Sequence, residues 1–377
     1  MTIEGTVDPR FAAVREAFAS CFADGLESGA AVAVMVEGRL VADLWGGHSD
    51  AAGTKPWRRD TLVNIWSATK GVMATAIAMA VERGQLAYDA PVAQVWPEFA
   101  ANGKETITLD TVMSHRAGLQ GLTTPMDEEG LYDWFPYVEA LAAQAPLFPP
   151  DSLCVYHALS YGHLTGEPLR RADGRFPGRF IAEEIAGPLG IDLFVGLPEE
   201  HDHRAAEMIE GPKTSDWLGL IDESGWGQSM HNPEIRAGHP NRRAWRAAQI
   251  PGANGMGDAR ALATLYGALA LGGTLNGVRL LGPDAVAAAA AERYRGPDAS
   301  FGSETAFGAG FRLAGEGAEM GESPSTFGHT GWGGTQAFAD PDAGLGFAFV
   351  TQRMLGFDDG IDPRRQRLIA AAYDALS

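Results

Sequence analysis

Strand-forming sequence sits near the two ends of this chain, and that separation constrains the fold more than any other feature. Near the start, AAVAVMVEGRLVADLWGG (residues 30–47) places two β-rich runs around Glu37 and Gly38, the pattern of a hairpin. Strand signals thin out from about residue 85 to 250. They return in FGAGFRLA (307–314), GTQAFADP (334–341) and LGFAFVTQRM (345–354). Between them lie helical pieces such as LDTVMSHRAG, YDWFPYVEALAAQ and YHALSYGHLTGEPLRRA, joined by Pro- and Gly-rich connectors. The pattern predicts one α/β lobe, built discontinuously from both chain ends around a mostly helical insert.

Helix signals frame that lobe. Asp8 and Pro9 suit a helix start, Phe11, Val14, Phe18 and Phe22 recur at helical spacing, and Gly25 and Gly29 close the segment. Ser67 to Arg83 reads as a helix ended by Gly84, and DARALATLYGALALGG near residue 258 as another. The last helix opens with Asp362 before Pro363, a cap and first-turn pair. Residues 201–250 show no clear period and are expected to wrap the surface.

Composition then excludes several functions. The formal charge is −19, and no run of Lys or Arg exceeds two, which argues against nucleic acid and anionic membranes as partners. The 45% apolar and 20% charged fractions are those of a globular chain, long enough for two lobes or one elaborated domain. Cys21 and Cys154, 133 residues apart, are expected as free thiols. The acidic, amphipathic start lacks the pattern of a secretory signal. The longest nearly uncharged apolar stretch, Gly71 to Val81, is about half of a bilayer crossing. A cytoplasmic location is the expectation.

The chemistry-bearing candidate is SATK, Ser67 to Lys70. The chain has 15 serines and only four lysines, so chance supplies roughly 0.2 S-x-x-K matches. The β-rich run LVNIW leads into Ser67 and a helix follows. Ser67 then meets the unpaired N–H groups and positive end of that helix, with Lys70 on the same face. A serine hydroxyl attacks a carbonyl when a nearby base takes its proton, and a buried lysine can serve because burial destabilises its charged form.

With these blocks in view, the sequence resembles the serine β-lactamase and penicillin-binding-protein family, and within it the family VIII carboxylesterases related to class C β-lactamases. SATK matches the first block. FPPDSLCVYHALSYG supplies Tyr156 for the second, with Ala158 where asparagine would stand. His329, Thr330 and Gly331, within GHTGWGGTQAFADP, replace the third, and MSHRAGL (113–119) is similar to the family's helix-ending segment. The resemblance implies an α/β (α+β) fold with an antiparallel sheet flanked by N- and C-terminal helices and a mostly helical inserted domain. Residues 1–84 and 251–377 would form the first domain and 85–250 the second, with the active site between them.

It also implies roles. Ser67 would be the nucleophile, with Lys70 and Tyr156 moving its proton; which of the two is the base stays open. Tyr161, inside the following helix, reads as packing. The backbone N–H groups of Ser67 and Trp332 would form the oxyanion hole, with His329, Gly331 and Trp332 binding substrate. A neutral His329 and an Ala158 that cannot hydrogen-bond an acyl amide would favour short neutral esters over lactams. No metal or cofactor is implied.

Alternatives are a β-lactamase or amide hydrolase of the same fold, and a non-catalytic scaffold. There is no G-x-S-x-G elbow, zinc helix or P-loop. His201 and His203 read as a solvated loop rather than a metal site. Trp217, Trp226 and Trp245 read as core or loop anchors before pocket walls.

Overall fold

A computed structural model describes residues 2–215, 227–315, 320–357 and 361–376. Among them one nine-stranded antiparallel sheet dominates. Its spatial order is Ile3–Val7, Arg39–Gly47, Gly29–Val36, Leu345–Thr351, Gln336–Asp340, Phe327–Thr330, Arg312–Leu313, Ser303–Phe307 and Tyr294–Asp298. The two chain ends meet at its centre. Gly29–Val36 pairs with Leu345–Thr351 from Val36 opposite Leu345 to Ala30 opposite Thr351.

The period of two sorts side chains by size. Val32, Val34, Phe338, Phe347 and Phe349 face the helices Ala12–Ala23 and Pro363–Asp374, where they meet Val14, Phe18, Leu368 and Ala372. Burying a side chain such as Phe347 contributes roughly 1.5–3 kcal/mol. The opposite face carries Ala31, Ala33, Ala337, Ala339 and Ala348, and helix Ala259–Ala270 packs on it. The approach there is close, since a Cβ at Gly346 would stand 2.3 Å from the Gly267 nitrogen. Both faces are covered, so the central strands read as apolar runs instead of alternating with polar residues.

Several elements depart from the sequence expectation. Ile3–Val7 and Tyr294–Asp298 are the sheet's two edge strands, and Gly296 and Pro297 disguise the second, since proline is tolerated where no ladder N–H is needed. FGAGFRLA is not one strand. Gly310 adopts φ +85° and the Gly308 N–H bonds the Phe311 carbonyl at 2.9 Å, so a tight bend separates Ser303–Phe307 from Arg312–Leu313. LVNIW contributes only Val63–Asn64, which joins Met256–Gly257 and Leu193–Phe194 in a small antiparallel ladder.

The central segment supplies helices Leu109–Met113, Phe135–Ala143, Ser160–Asp173 and Pro177–Ile181, among others. Helix Thr69–Glu82 is buried on every side from Thr69 to Ala80, the condition of a helix without an amphipathic stripe. It packs against Ser160–Asp173, Pro177–Ile181 and Pro283–Ala290. Cys21 and Cys154 are free and buried. His201 lies against Phe194 with ring centroids 5.1 Å apart, while His203 is exposed. Trp217 and Trp226 lie outside the described residues. No described helix is long and apolar enough to cross a membrane.

One ion cluster is fully enclosed. Arg364, in the first turn of the last helix, meets Glu27 at 2.6 Å and Asp362 at 2.7 Å. Removing one partner of such a buried pair typically costs about 3–5 kcal/mol.

Buried histidines make the fold sensitive to acid. Burial pushes His157 down to about 4 and His163 down to about 3, the latter between Tyr137 and Trp134. An unfolded chain protonates its histidines near pH 6.5 while these stay neutral. Their contribution is therefore complete above that pH and is lost as pH falls toward the folded values. The expected outcome is a melting temperature that drops between pH 6.5 and 4, with a shallower dependence in His163→Phe. An unchanged slope in the variant would remove His163 as a cause.

Candidate functional site

The nucleophile candidate sits at a strained junction. Trp66 has φ +49°, a left-handed conformation that costs on the order of 1 kcal/mol in an L-residue. Packing holds it there: its ring lies 4.8 Å from Trp332 and 5.6 Å from Trp245, and its carbonyl accepts from the Thr69 hydroxyl at 2.5 Å. A 3-10 turn, Trp66–Ala68, then opens the helix. The conformation turns Ser67 into a pocket whose wall it forms.

Lys70 is completely buried, and its amine is surrounded by three oxygens. Nζ lies 3.0 Å from Ser67 Oγ, 2.8 Å from the Ala158 carbonyl and 2.7 Å from the Gly252 carbonyl. Burial holds its pKa well below the usual lysine value. A neutral amine has two N–H bonds and one lone pair. The two carbonyls can accept only from the N–H groups, which leaves the lone pair for the Ser67 hydroxyl.

Tyr156 completes the group. Its side chain hydrogen-bonds that of Ser67, and the Lys70 amine lies 4.8 Å from its ring centroid. Burial pushes its hydroxyl above the ordinary phenol range, although the bond to Ser67 pulls the other way. The phenol therefore keeps its proton at neutral pH. Tyr161 lies further off, 5.7 Å from the Lys70 amine to its centroid, inside helix Ser160–Asp173.

That helix begins only at Ser160, so Tyr156 lies on the loop and Ala158 in the turn that lead into it, and backbone bonds fix them. The Tyr156 N–H donates to Ser300 Oγ at 2.7 Å, and Ser229 Oγ donates to its carbonyl at 3.1 Å. Two buried histidines do the rest. His115 Nδ1 accepts from the His157 N–H at 3.0 Å, and His157 Nε2 accepts from the Leu119 N–H at 3.2 Å. The MSHRAGL segment is thus the clamp on the tyrosine loop. A histidine pair 42 residues apart left no spacing signal in the sequence.

The pocket above Ser67 encloses roughly 200 Å³, several times the ~30 Å³ share of a water. Trp66, Leu159, Met230, Ala253, Phe301 and Trp332 make it mainly apolar, with Tyr156, Thr330, Gly331 and the Ala158 side chain also on its wall. His329 does not line it. The ring is 1% exposed, lies 6.2 Å from that of Tyr156 and bonds the Thr330 carbonyl through Nδ1 at 2.7 Å; burial keeps it neutral. The strand alternation turns its neighbour Thr330 to the pocket instead. Trp245 is buried and donates to Asn64 Oδ1 at 2.9 Å, an anchor under Trp66 rather than a pocket wall.

Arg312 is the charged pocket residue that sequence reasoning missed. It lines the cavity directly after the Gly308–Phe311 bend, half-buried, without an ion pair or side-chain hydrogen bond among the described residues. The bend that aims it was invisible because FGAGFRLA reads as continuous strand. No group of three potential metal ligands occurs among the described residues.

A family model described as Beta-lactamase matches residues 18–371. The chain belongs to the beta-lactamase family. It is 38% identical over 364 residues to the esterase/beta-lactamase LipL of Mycobacterium tuberculosis, covering 93% of this chain and 83% of LipL. Among solved structures it is similar to a family VIII carboxylesterase, with TM-score 0.93, 41% identity and full coverage of both chains. It is likewise similar to a penicillin-binding protein homologue from Caulobacter crescentus, with TM-score 0.90, 42% identity and full coverage of both.

Burial, which pushes the Lys70 amine well below the usual lysine range, gives the site a sign of pH dependence. The rate of Ser67 labelling by a fluorophosphonate is expected to rise with pH through one deprotonation centred well below the ordinary lysine value, then hold level. Lys70→Arg, which stays charged, is expected to lower that rate by about a thousandfold or more. A pH-independent rate, or a reactive Lys70→Arg protein, would contradict the assignment of the lone pair to Ser67.

Proposed function

We propose that the protein is a serine carboxylesterase acting through an acyl-enzyme on Ser67. The observation that carries this reading is the Ser67 hydroxyl bonded to both Lys70 and Tyr156 at the wall of a mainly apolar pocket. Ser67 Oγ attacks the ester carbonyl while its proton passes to the Lys70 amine. The tetrahedral oxyanion is held by the N–H groups of Ser67 and Trp332, donors that are each worth roughly 3–4 kcal/mol in comparable sites. The carbon–oxygen bond to the alcohol then breaks. Tyr156 donates its proton to the departing alkoxide and regains one from the Lys70 ammonium. Water reverses the sequence on the acyl-enzyme and releases the acid. Similarity to an esterase/beta-lactamase and to a family VIII carboxylesterase supports the same reaction class.

The cavity suits acyl or alcohol groups of a few carbons. A neutral substrate fits the apolar lining, and His329, neutral and outside the cavity, offers no charge to a carboxylate. Arg312 favours a second reading. Its guanidinium stands on the pocket wall, where its charge also acts on the buried Asp298 carboxyl, so a substrate bearing a carboxylate, an anionic ester or a β-lactam, has a cation to meet.

Two measurements test these statements. Ser67→Ala is expected to lose p-nitrophenyl butyrate hydrolysis by several orders of magnitude, and Tyr156→Phe by at least about a hundredfold, while Tyr161→Phe stays within a few-fold. Near-normal turnover by a folded Ser67→Ala protein ends the proposal and leaves the scaffold alternative. In the second, kcat/KM for nitrocefin and for p-nitrophenyl butyrate are compared at fixed ionic strength. The ester is expected to be preferred, and Arg312→Gln to weaken hydrolysis of nitrocefin more than of the ester. A preference for nitrocefin would return the reading to a β-lactamase.

A further inference from the structure

The turn after the Phe327–Thr330 strand has little side-chain material of its own. It runs Gly331, Trp332, Gly333, Gly334, with φ +87° at Gly333 and +133° at Gly334. Its backbone is pressed from two sides. A Cβ at Gly331 would stand 2.3 Å from the Ile65 carbonyl oxygen, and one at Gly334 would stand 2.2 Å from Arg364 Nη2. Trp332 is held by its ring against Trp66 and by its Nε1 N–H, which donates to the Thr214 carbonyl at 2.8 Å; the glycines after it have no side chain to pack, so main-chain contacts must fix that half of the turn.

Arg364 makes the decisive one. Its Nη2 donates to the Gly333 carbonyl at 2.8 Å, and the Leu355 N–H donates to the same oxygen at 3.1 Å. The remaining N–H groups are all occupied. Nε and Nη2 reach Asp362 at 3.0 and 2.7 Å, and Nη1 reaches Glu27 at 2.6 Å and the Arg353 carbonyl at 2.8 Å. Five donors on a planar fork therefore tie Glu27, Arg353 and Asp362 to one turn. Burying such a cluster adds little stability over an apolar core of the same volume. Its geometry is what an apolar core could not reproduce.

We infer that Arg364, held by Glu27 and Asp362, is a positioning residue that fixes the Gly331–Gly334 turn and thereby aims the Trp332 N–H at the developing oxyanion. The inference rests on the esterase reading above, in which that N–H contacts the reacting oxygen. Arg364 lies in the last helix, behind the sheet, and touches no pocket atom. It acts through the Gly333 carbonyl. Oxyanion donors must sit within a few tenths of an ångström of the transition-state oxygen, and they matter little to the ground state. Loosening the turn should therefore lower kcat and leave KM nearly unchanged.

The test compares Arg364→Lys and the double variant E27Q/R364M with Glu167→Gln. Glu167 is a buried carboxylate of helix Ser160–Asp173 bound to Trp134, Arg170 and Arg171, and its variant controls for lost stability. Each protein is melted, its active Ser67 is counted by end-point fluorophosphonate labelling, and kcat and KM for p-nitrophenyl butyrate are expressed per labelled site. Lysine supplies three donors where arginine supplied five, and the double variant removes the cation together with its Glu27 partner. Both are expected to lose about 10- to 100-fold in kcat per site with KM within about twofold. Glu167→Gln is expected to melt earlier with kcat per site unchanged. Per-site kcat retained in both Arg364 variants overturns the inference, as does failure of both to fold, which would make the guanidinium a core element. If the unchanged protein is neither labelled at Ser67 nor active on the ester, the esterase reading fails first and the inference falls with it.

Discussion

A fully buried amine is the constraint on which this site depends. Lys70 is enclosed on a helix buried from Thr69 to Ala80, and among the described residues no carboxylate is bonded to it. Charged, it would carry a desolvation penalty of several kcal/mol; neutral, it needs only two acceptors and a donor. The carbonyls of Ala158 and Gly252 and the hydroxyl of Ser67 match that need. Much of the surrounding architecture follows from bringing those two carbonyls, about 90 and 180 residues further along the chain, to one nitrogen. The loop that holds Ala158 also holds Tyr156, so the acceptor and the phenol are positioned by the same bonds from His115, His157, Ser229 and Ser300.

The ordering of the site by type was legible in the sequence. The ordering by direction was not. Ser67, Lys70 and Tyr156 could be named because the first two are three residues apart on a helix and the third falls in a block of recognisable spacing. His329 was named from the same kind of block, yet strand alternation turns its ring into the core and brings Thr330 to the pocket. Arg312 escaped because a bend at Gly308–Phe311, set by one positive φ, interrupts what reads as a strand. The discontinuous sheet was legible from where the β-rich runs stand. Its edge strands were not, because Gly5, Gly296 and Pro297 break the pattern that marks interior strands and are tolerated at an edge.

The two faces of the sheet divide the labour of the fold by residue size. Phenylalanine and valine on one side lock the terminal helices in place, and alanine on the other lets helix Ala259–Ala270 approach until Gly346 and Gly267 nearly touch. A larger residue at Ala348 or Ala337 would therefore push that helix outward, whereas the phenylalanine face would feel a loss of volume more than a gain.

The pairing of Gly29–Val36 with Leu345–Thr351 has a consequence for how the molecule is made. Its partners are separated by more than 300 residues, so closing that loop is among the most entropically demanding steps open to the chain. During synthesis the strand Gly29–Val36, buried along almost its whole length in the finished fold, waits until about 300 further residues have left the ribosome before its neighbour exists. A nascent chain in that interval exposes an unpaired strand edge, the ordinary template for aggregation. The yield of native protein from a cell should therefore depend on what shelters that strand as much as on the stability of the finished fold.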